Sequence, residues 1–248
     1  MICLTKHATK LYHQLNKGKL YLIPCIIGPE TEENVLTLPI LNIISQTNIF
    51  IVENIRTCRR HIKRIDPTKD INNTIFYSYG KHNILNLRED FLPHILMGEN
   101  VGLISEAGVP CIADPGSKIV EYAHNLHIEV IPLVGPSSIL LALMASGMNG
   151  QNFAFTGYLP IDKKERIRTI KSLESLIKKT GQTQIFMETP YRNNQLLETL
   201  KIQCNNKTRL CIATNITSPN EFIQTKTIEE WKHTKFDIHK QPTIFLLS

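Results

Sequence analysis

The sequence predicts an α/β architecture in two parts, with a mostly parallel sheet in the N-terminal half and a mixed sheet in the C-terminal half. Three observations carry this. Strand-like and helix-like segments alternate through residues 19–147, the pattern of stacked βαβ units around a parallel sheet. Two β-rich runs at 209–217 and 221–227 are joined only by Ser218-Pro219-Asn220, which reads as a hairpin and so as antiparallel pairing. Residues 130–161 carry no charge, yet Pro132, Gly135, Pro136, Gly147 and Gly150 interrupt them. That stretch is interior to a soluble chain, because a membrane span needs ~20 unbroken apolar residues.

In order, "KLYLIPCIIG" (19–28), "NIFIVE" (48–53), "NTIFYSYG" (73–80), "VGLIS" (101–105) and "EVIPLVG" (129–135) read as strands. Between them "NIRTCRRHIKRI" (54–65), "LREDFLPHILMGE" (87–99) and "SKIVEYAHNL" (117–126) have helical spacing, with Pro93 marking an early-turn position or a break. "PSSILLALMASG" (136–147) is an apolar helix ended by Gly147. Beyond it, strands are expected at 153–159, 183–188, 209–217, 221–227 and 242–248, and helices at 163–179 and 192–203. The domain organisation is a basic N-terminal extension (1–18), an N-terminal α/β domain (19–135) and a C-terminal α/β domain (136–248).

Lys and Arg number 28 against 22 acidic residues, an excess of +6. The bases cluster at 1–20, at 54–69 and at 161–180, the distribution that a phosphate-rich partner such as RNA requires. The six cysteines are scattered with no CxxC and no zinc-ligand spacing, so no metal site is expected and the thiols read as reduced. With no apolar leader among the first 20 residues, a cytoplasmic protein without a membrane segment is expected.

No GxGxxG turn, GxxxxGK[ST] loop, HExxH or GxSxG occurs, which removes support for hydride transfer, nucleotide hydrolysis and serine-hydrolase chemistry. "LISEAGVPCIADPG" (103–116) instead places two turn signals after a buried strand. Asp114-Pro115-Gly116 reads as a helix start, with Asp114 the N-cap. Glu106-Ala107-Gly108-Val109-Pro110 follows a parallel strand's C-terminal end, where open α/β sheets place ligands. "VGPSS" (134–138) is a second strand-end stretch, with Ser137 or Ser138 able to cap the following helix.

"LYLIPCIIG", "IVENIRTCRR", "GLISEAGVPCIADPG", "IPLVGPSSILLALMASG", "FAFTGYLPIDKKER", "IFMETPYRNNQLL" and "LCIATNIT" stand in the order and spacing of the tetrapyrrole-methylase superfamily. Within it the chain resembles the ribosomal RNA small-subunit methyltransferase I group, over about residues 19–248. The resemblance implies two α/β domains, a homodimer, and S-adenosylmethionine held in the cleft between the domains. It assigns cofactor contacts to Pro24, Gly28, Ala107, Gly108, Val109, Ile112, Ser137, Ser138, Met187, Ala213 and Asn215. The expected reaction is methyl transfer to a ribose 2′-hydroxyl of ribosomal RNA. Glu53, Glu106 and His82 are the candidate bases, and Arg56 is a phosphate or carboxylate contact. Two departures stand out. The group's usual Ser-Asp-Ala-Gly-Thr-Pro is Ser105-Glu106-Ala107-Gly108-Val109-Pro110 here, and its Glu-Asp-Thr-Arg is Glu53-Asn54-Ile55-Arg56. They leave open a tetrapyrrole or other small-molecule substrate, or a non-catalytic cofactor- or RNA-binding protein.

Overall fold

The computed structural model describes residues 17–80 and 85–248. Most of the expected basic extension, together with His82 and Asn83, lies outside the described residues. The chain divides into two compact units, Met1–Ile26 with Glu32–Pro136, and Ile27–Thr31 with Ser137–Ser248. Residues 27–31, which the sequence reading places in the N-terminal domain, group with the second unit. Gly28 N–H donates to Thr217 Oγ1 at 3.2 Å, and a Cβ at Gly28 would stand 2.2 Å from Ser218 Oγ.

The first unit is built on a parallel sheet of β1 (Leu20–Ile23), β2 (Ile49–Val52), β3 (Ile75–Ser78), β4 (Val101–Ile104) and β5 (Val130–Pro132), in the order β3-β2-β4-β1-β5. Strands β2 and β4 are buried along their whole length, as expected of a parallel sheet covered on both faces. Alternate residues divide between two cores. Phe50, Val52 and Ile104 pack with Ile40 and Ile44 of α1 (Leu38–Gln46) and Cys58 and Ile62 of α2 (Ile55–Ile65). Ile49, Ile51 and Leu103 pack with Phe91, with Ile95 of α3 (Leu92–Leu96), and with Ile119 and Ala123 of α4 (Ser117–Asn125).

The helices after β2 and β4 therefore cover opposite faces of the sheet. Their connections run in opposite directions across it, which makes the β2–β4 boundary its topological switch point. Open α/β sheets bind ligands at this position, outside the strands' C-terminal ends.

The segment 38–46 differs from the sequence reading. Helix α1 carries no helix assignment there, because its Pro39 and three isoleucines obscure the period; the proline occupies the first turn, where its missing N–H costs nothing. Pro93 likewise sits in the first turn of α3, directly after a π-helical turn at Leu87–Phe91.

The second unit's sheet runs β6-β7-β10-β8-β9, from β6 (Phe153–Tyr158), β7 (Thr183–Met187), β8 (Arg209–Thr214), β9 (Phe222–Thr227) and β10 (Thr243–Leu247). Only β6 and β7 pair in parallel; β7–β10, β10–β8 and the β8–β9 hairpin are antiparallel, the mixed sheet the sequence predicts. One face packs on α5 (Ser138–Ser146) through Ile139, Ala142 and Leu143. The other packs on α6 (Lys163–Thr180), α7 (Asn193–Gln203) and α8 (Ile228–Lys232), with Phe186 and Phe245 stacked at 5.9 Å in its core. No helix among the described residues is long and apolar enough to cross a membrane.

Phe50 is fully buried, stacks on Phe76 at 5.7 Å, and occupies space that a Cβ at Gly102 would enter at 2.8 Å. Phe50→Ala is expected to lower the first unit's stability by about 3–5 kcal/mol, read as an earlier urea-unfolding transition.

Candidate active site at the strand ends of the first unit

The C-terminal ends of β2 and β4 place two carboxylates together. Glu53 follows β2 directly, and Glu106 follows β4 by two residues. The Glu106 backbone N–H donates to Glu53 Oε1 at 3.2 Å. Glu53 and Arg56 form no ion pair; Arg56 lies on the exposed face of α2, whose N-cap is Asn54, accepting the Thr57 N–H at 3.2 Å.

The loop after Glu106 is fixed by its backbone. Gly108 adopts φ 68°, a left-handed conformation that glycine takes without a Cβ clash. Its carbonyl accepts the Cys25 N–H at 2.9 Å, and its own N–H donates to the Ile26 carbonyl at 3.4 Å. Ser105 Oγ lies 3.4 Å from the carbonyls of both Ala107 and Gly108.

Cys111 and Ala113 are also left-handed, at φ 69° and 64°. Asp114 holds them there, its carboxylate accepting the N–H groups of Cys111 and Gly116 at 2.7 Å each. This corrects the reading of Asp114 as the cap of the following helix. Helix α4 starts at Ser117 with Gly116 at its cap position and no side-chain cap bond, because the Asp114 carboxylate is committed to the loop.

Burial raises all three acids above the usual carboxylate range. For Glu53, burial acts first; the Glu106 N–H opposes it and the Asp114 charge adds to it. For Glu106, burial is followed by the Glu53 charge, with the Thr57 side chain and Arg60 opposing. For Asp114, burial outweighs the two N–H bonds it accepts. The Tyr79 hydroxyl, just beyond β3, is buried without a hydrogen-bond partner and is pushed up by burial and then by the charges of Asp114 and Glu53. Such raised acids are stronger proton acceptors than free carboxylates.

The chain matches the family model described as Tetrapyrrole (Corrin/Porphyrin) Methylases over residues 37–232. It belongs to the tetrapyrrole methylase family. The chain is accordingly an S-adenosylmethionine-dependent methyltransferase.

Among curated relatives, "Ribosomal RNA small subunit methyltransferase I" of Halalkalibacterium halodurans is 29% identical over 88% of this chain and 71% of its own length. The protein of that name from Buchnera aphidicola subsp. Schizaphis graminum is 34% identical over 85% and 70%. The solved structure of the methyltransferase CobJ superposes with a TM-score of 0.62 at 16% identity, covering 93% of this chain and 94% of CobJ. Cobalt precorrin-4 methyltransferase CbiF gives 0.60 at 13%, with coverage of 93% and 94%. These two likenesses establish the fold.

The other candidates from the sequence fall into different settings in this methylase. Ala107 and Ile112 are exposed on the double-turn loop, Ile112 by 52%, and Val109 is half-buried between them. Pro24 is buried, and a Cβ at Gly135 would meet its ring at 2.1 Å. In the second unit, Ser137 caps α5 by accepting the Leu140 N–H at 3.5 Å, and Ser138 is that helix's first residue. Met187 ends β7, half-buried.

Asn215 follows β8 at φ 52°, donating from Nδ2 to Gln241 Oε1 at 2.8 Å. Ala213 is fully buried in the core with Ile185 and Ile244 and presents no surface to a ligand. Sequence reasoning did not single out Thr57, Arg60 or Tyr79. The strand-end rule that selects Glu106 extends to Tyr79, and helical spacing from Glu53 extends to Thr57 and Arg60.

A carboxyl raised in the folded state binds its proton more tightly there than in the unfolded chain. Stability is then greatest below the unfolded value and falls as pH rises through the folded one. Glu53→Gln keeps the oxygen that accepts the Glu106 N–H and removes the charge. It is expected to melt above the wild type at neutral pH, with the gap closing below about pH 4, the free carboxylate range.

Proposed function

We propose that this methylase modifies small-subunit ribosomal RNA at a ribose 2′-hydroxyl, with Glu106 as the base and Glu53 as the group that positions it. The observation that carries the reading is the Glu53–Glu106 carboxylate pair at the sheet's switch point, in a chain whose curated relatives bear a ribosomal RNA methyltransferase name. A ribose hydroxyl is a poor nucleophile while it keeps its proton. A positioned base contributes typically ~10²–10⁴-fold. The Glu106 carboxylate accepts that proton, while its backbone N–H is held by Glu53.

The loop fits the cofactor. Ile112 and Ala107 offer exposed apolar surface beside the left-handed turn at Gly108, matching a ligand that combines apolar faces with polar edges. In the first unit Ala107, Gly108, Val109 and Ile112 are its proposed contacts. Met187 and Asn215 of the second unit are proposed from the family resemblance, as are Ser137 and Ser138. S-adenosylmethionine, when bound, supplies a methyl group already activated on a sulfonium. The protein's remaining task is to align the acceptor, worth up to ~7–11 kcal/mol in favourable cases. The cytoplasm, where ribosomal RNA is met, is the proposed location.

Transfer of labelled methyl groups to small-subunit ribosomal RNA, followed by mapping of the modified ribose, tests the reading. Glu106→Gln is expected to lower kcat by ~10²–10⁴-fold with cofactor affinity by calorimetry unchanged. Unmethylated RNA with the wild-type protein, or full activity in Glu106→Gln, overturns it. Gly108→Val is expected to abolish cofactor binding. At φ 68° a β-branched residue forces the loop to move, so that variant reports on loop geometry.

A homodimer is proposed as well. On α5, Leu140 and Met144 lie one turn apart and are 50% and 79% exposed, an apolar face of the kind that subunits cover. Leu140→Asp with Met144→Asp is expected to convert a dimer into a monomer by light scattering.

A further inference from the structure

The sequence holds three basic clusters, and the described residues of each have different settings. Lys17 Nζ donates to the Leu126 carbonyl at 3.0 Å, and Lys19 pairs with Glu129 at 2.9 Å. On α6, Arg166 is buried and donates to the Ile161 carbonyl, while Lys171 bonds to the Gln203 carbonyl beside Glu174. That helix also carries Glu165 and Glu174 among its bases.

Helix α2 is different. Its sequence, IRTCRRHIKRI, contains no acid, and Arg56, Arg59, Arg60 and Lys63 recur at i, i+3, i+4 and i+7, so they form one stripe. Cys58, His61 and Ile62 take the buried face. At 1.5 Å per residue the stripe runs ~10 Å, longer than one phosphate group.

Arg59, Arg60 and Lys63 line an open groove of about 630 Å³ together with Lys69 and Asn72. Arg59 is held in place, donating to Asn72 Oδ1 at 3.3 Å with its guanidinium 5.9 Å from the centre of the Phe76 ring. Lys63 Nζ reaches the Pro67 carbonyl at 2.8 Å. Lys69 forms the floor, 6% exposed, donating to the Ser45 carbonyl and Asn48 Oδ1.

The acids nearby are already engaged. Asp70 accepts the N–H groups of Asn72 and Asn73 and the Asn73 side-chain amide, and Asp66 accepts from Ser45 and Thr68. Four cations thus face the groove against one lining acid, Asp70. The stripe also leads to the carboxylate pair, since Arg60 acts electrostatically on Glu106.

We propose that this groove is the enzyme's RNA-backbone track, in which Arg59, Arg60 and Lys63 contact successive phosphodiesters of the strand whose target ribose reaches Glu106. The assignment rests on the RNA reading above. Each phosphate contact releases counterions, so the track sets the salt dependence of binding. It leaves the chemistry of methyl transfer untouched.

The test titrates the full chain with a small-subunit ribosomal RNA transcript across a range of KCl concentrations. Arg59→Gln with Lys63→Gln removes two contacts. The slope of log K against log salt is expected to become shallower by about 1.4–1.8, from ~0.7 per contact on single strands to ~0.9 on duplex. RNA affinity is expected to fall about tenfold or more, while kcat at saturating RNA and calorimetric cofactor affinity stay at wild-type values. The unchanged cofactor affinity also shows that the variant is folded.

Arg59→Lys with Lys63→Arg keeps both charges and is expected to keep the slope. Lys163→Gln with Lys164→Gln on α6 is expected to leave it unchanged. A wild-type chain that methylates the RNA, while the Arg59→Gln, Lys63→Gln variant keeps the wild-type slope, overturns the track alone. A wild-type chain that neither binds nor methylates the RNA overturns the substrate reading and the track together.

Discussion

The backbone bridge between Cys25 and Gly108 is the constraint on which the first unit's site depends. Cys25 donates to the Gly108 carbonyl at 2.9 Å, and Gly108 donates back to Ile26 at 3.4 Å. These bonds tie the chain leaving β1 to the chain leaving β4, so the loop after β4 cannot continue straight into a helix. The two left-handed residues that follow, Cys111 and Ala113, each cost roughly 1–2 kcal/mol relative to ordinary backbone. The Asp114 carboxylate offsets that cost with two short bonds to backbone N–H groups. Strain held in this way marks a loop whose shape matters more than its stability.

That shape gathers Glu53, Glu106 and Asp114 into one neighbourhood, where each raises the cost of ionising the others or is itself raised by burial. The local compensation comes from α2. Its first-turn N–H groups and the Arg60 charge favour anions near its start, and the same helix carries the basic stripe away from the carboxylates. One helix thereby serves both charge requirements of the proposed RNA methylation: it steadies the acids proposed to take a proton and presents the cations proposed to hold a phosphate backbone.

Much of this was legible in the sequence, for identifiable reasons. The strands at 48–53 and 101–105 are short, β-branched and bounded by turn residues, so their existence and their ends were readable. The end of the second selected Glu106, and the family resemblance supplied Glu53. The hairpin at 209–227 was readable from its three-residue turn. Strand order was not, because nothing local in β1 or β4 records that they become neighbours across some 80 residues. Asp114 was misread because Asp-Pro-Gly has the composition of a helix cap, and only the left-handed φ of Cys111 and Ala113 shows that its carboxylate is used earlier in the loop. Helix α1 escaped notice because Ile40, Ile43 and Ile44 suit a strand as well as a helix, and tertiary packing decided between them. Ala213 was placed at the cofactor by resemblance, whereas its burial in the β8 core is a matter of which face of the strand it occupies.

The substitution of Glu106 for the Asp usual in the ribosomal group now has a physical setting. The loop is held by backbone groups of Cys25, Ile26 and Gly108, by Ser105 Oγ and by the Asp114 carboxylate, and none of these involves the side chain at 106. The residue's backbone tie to the site is its N–H on Glu53, which any residue but proline supplies, while its carboxylate is met by the Thr57 side chain and Arg60. An extra methylene at 106 therefore lengthens the reach of the carboxylate without altering the frame that carries it. The same holds for Val109, whose side chain takes no part in the loop's hydrogen bonds. A frame held by these groups does not depend on the side chains at 106 and 109, so the departures from the group's motif leave the loop's shape intact.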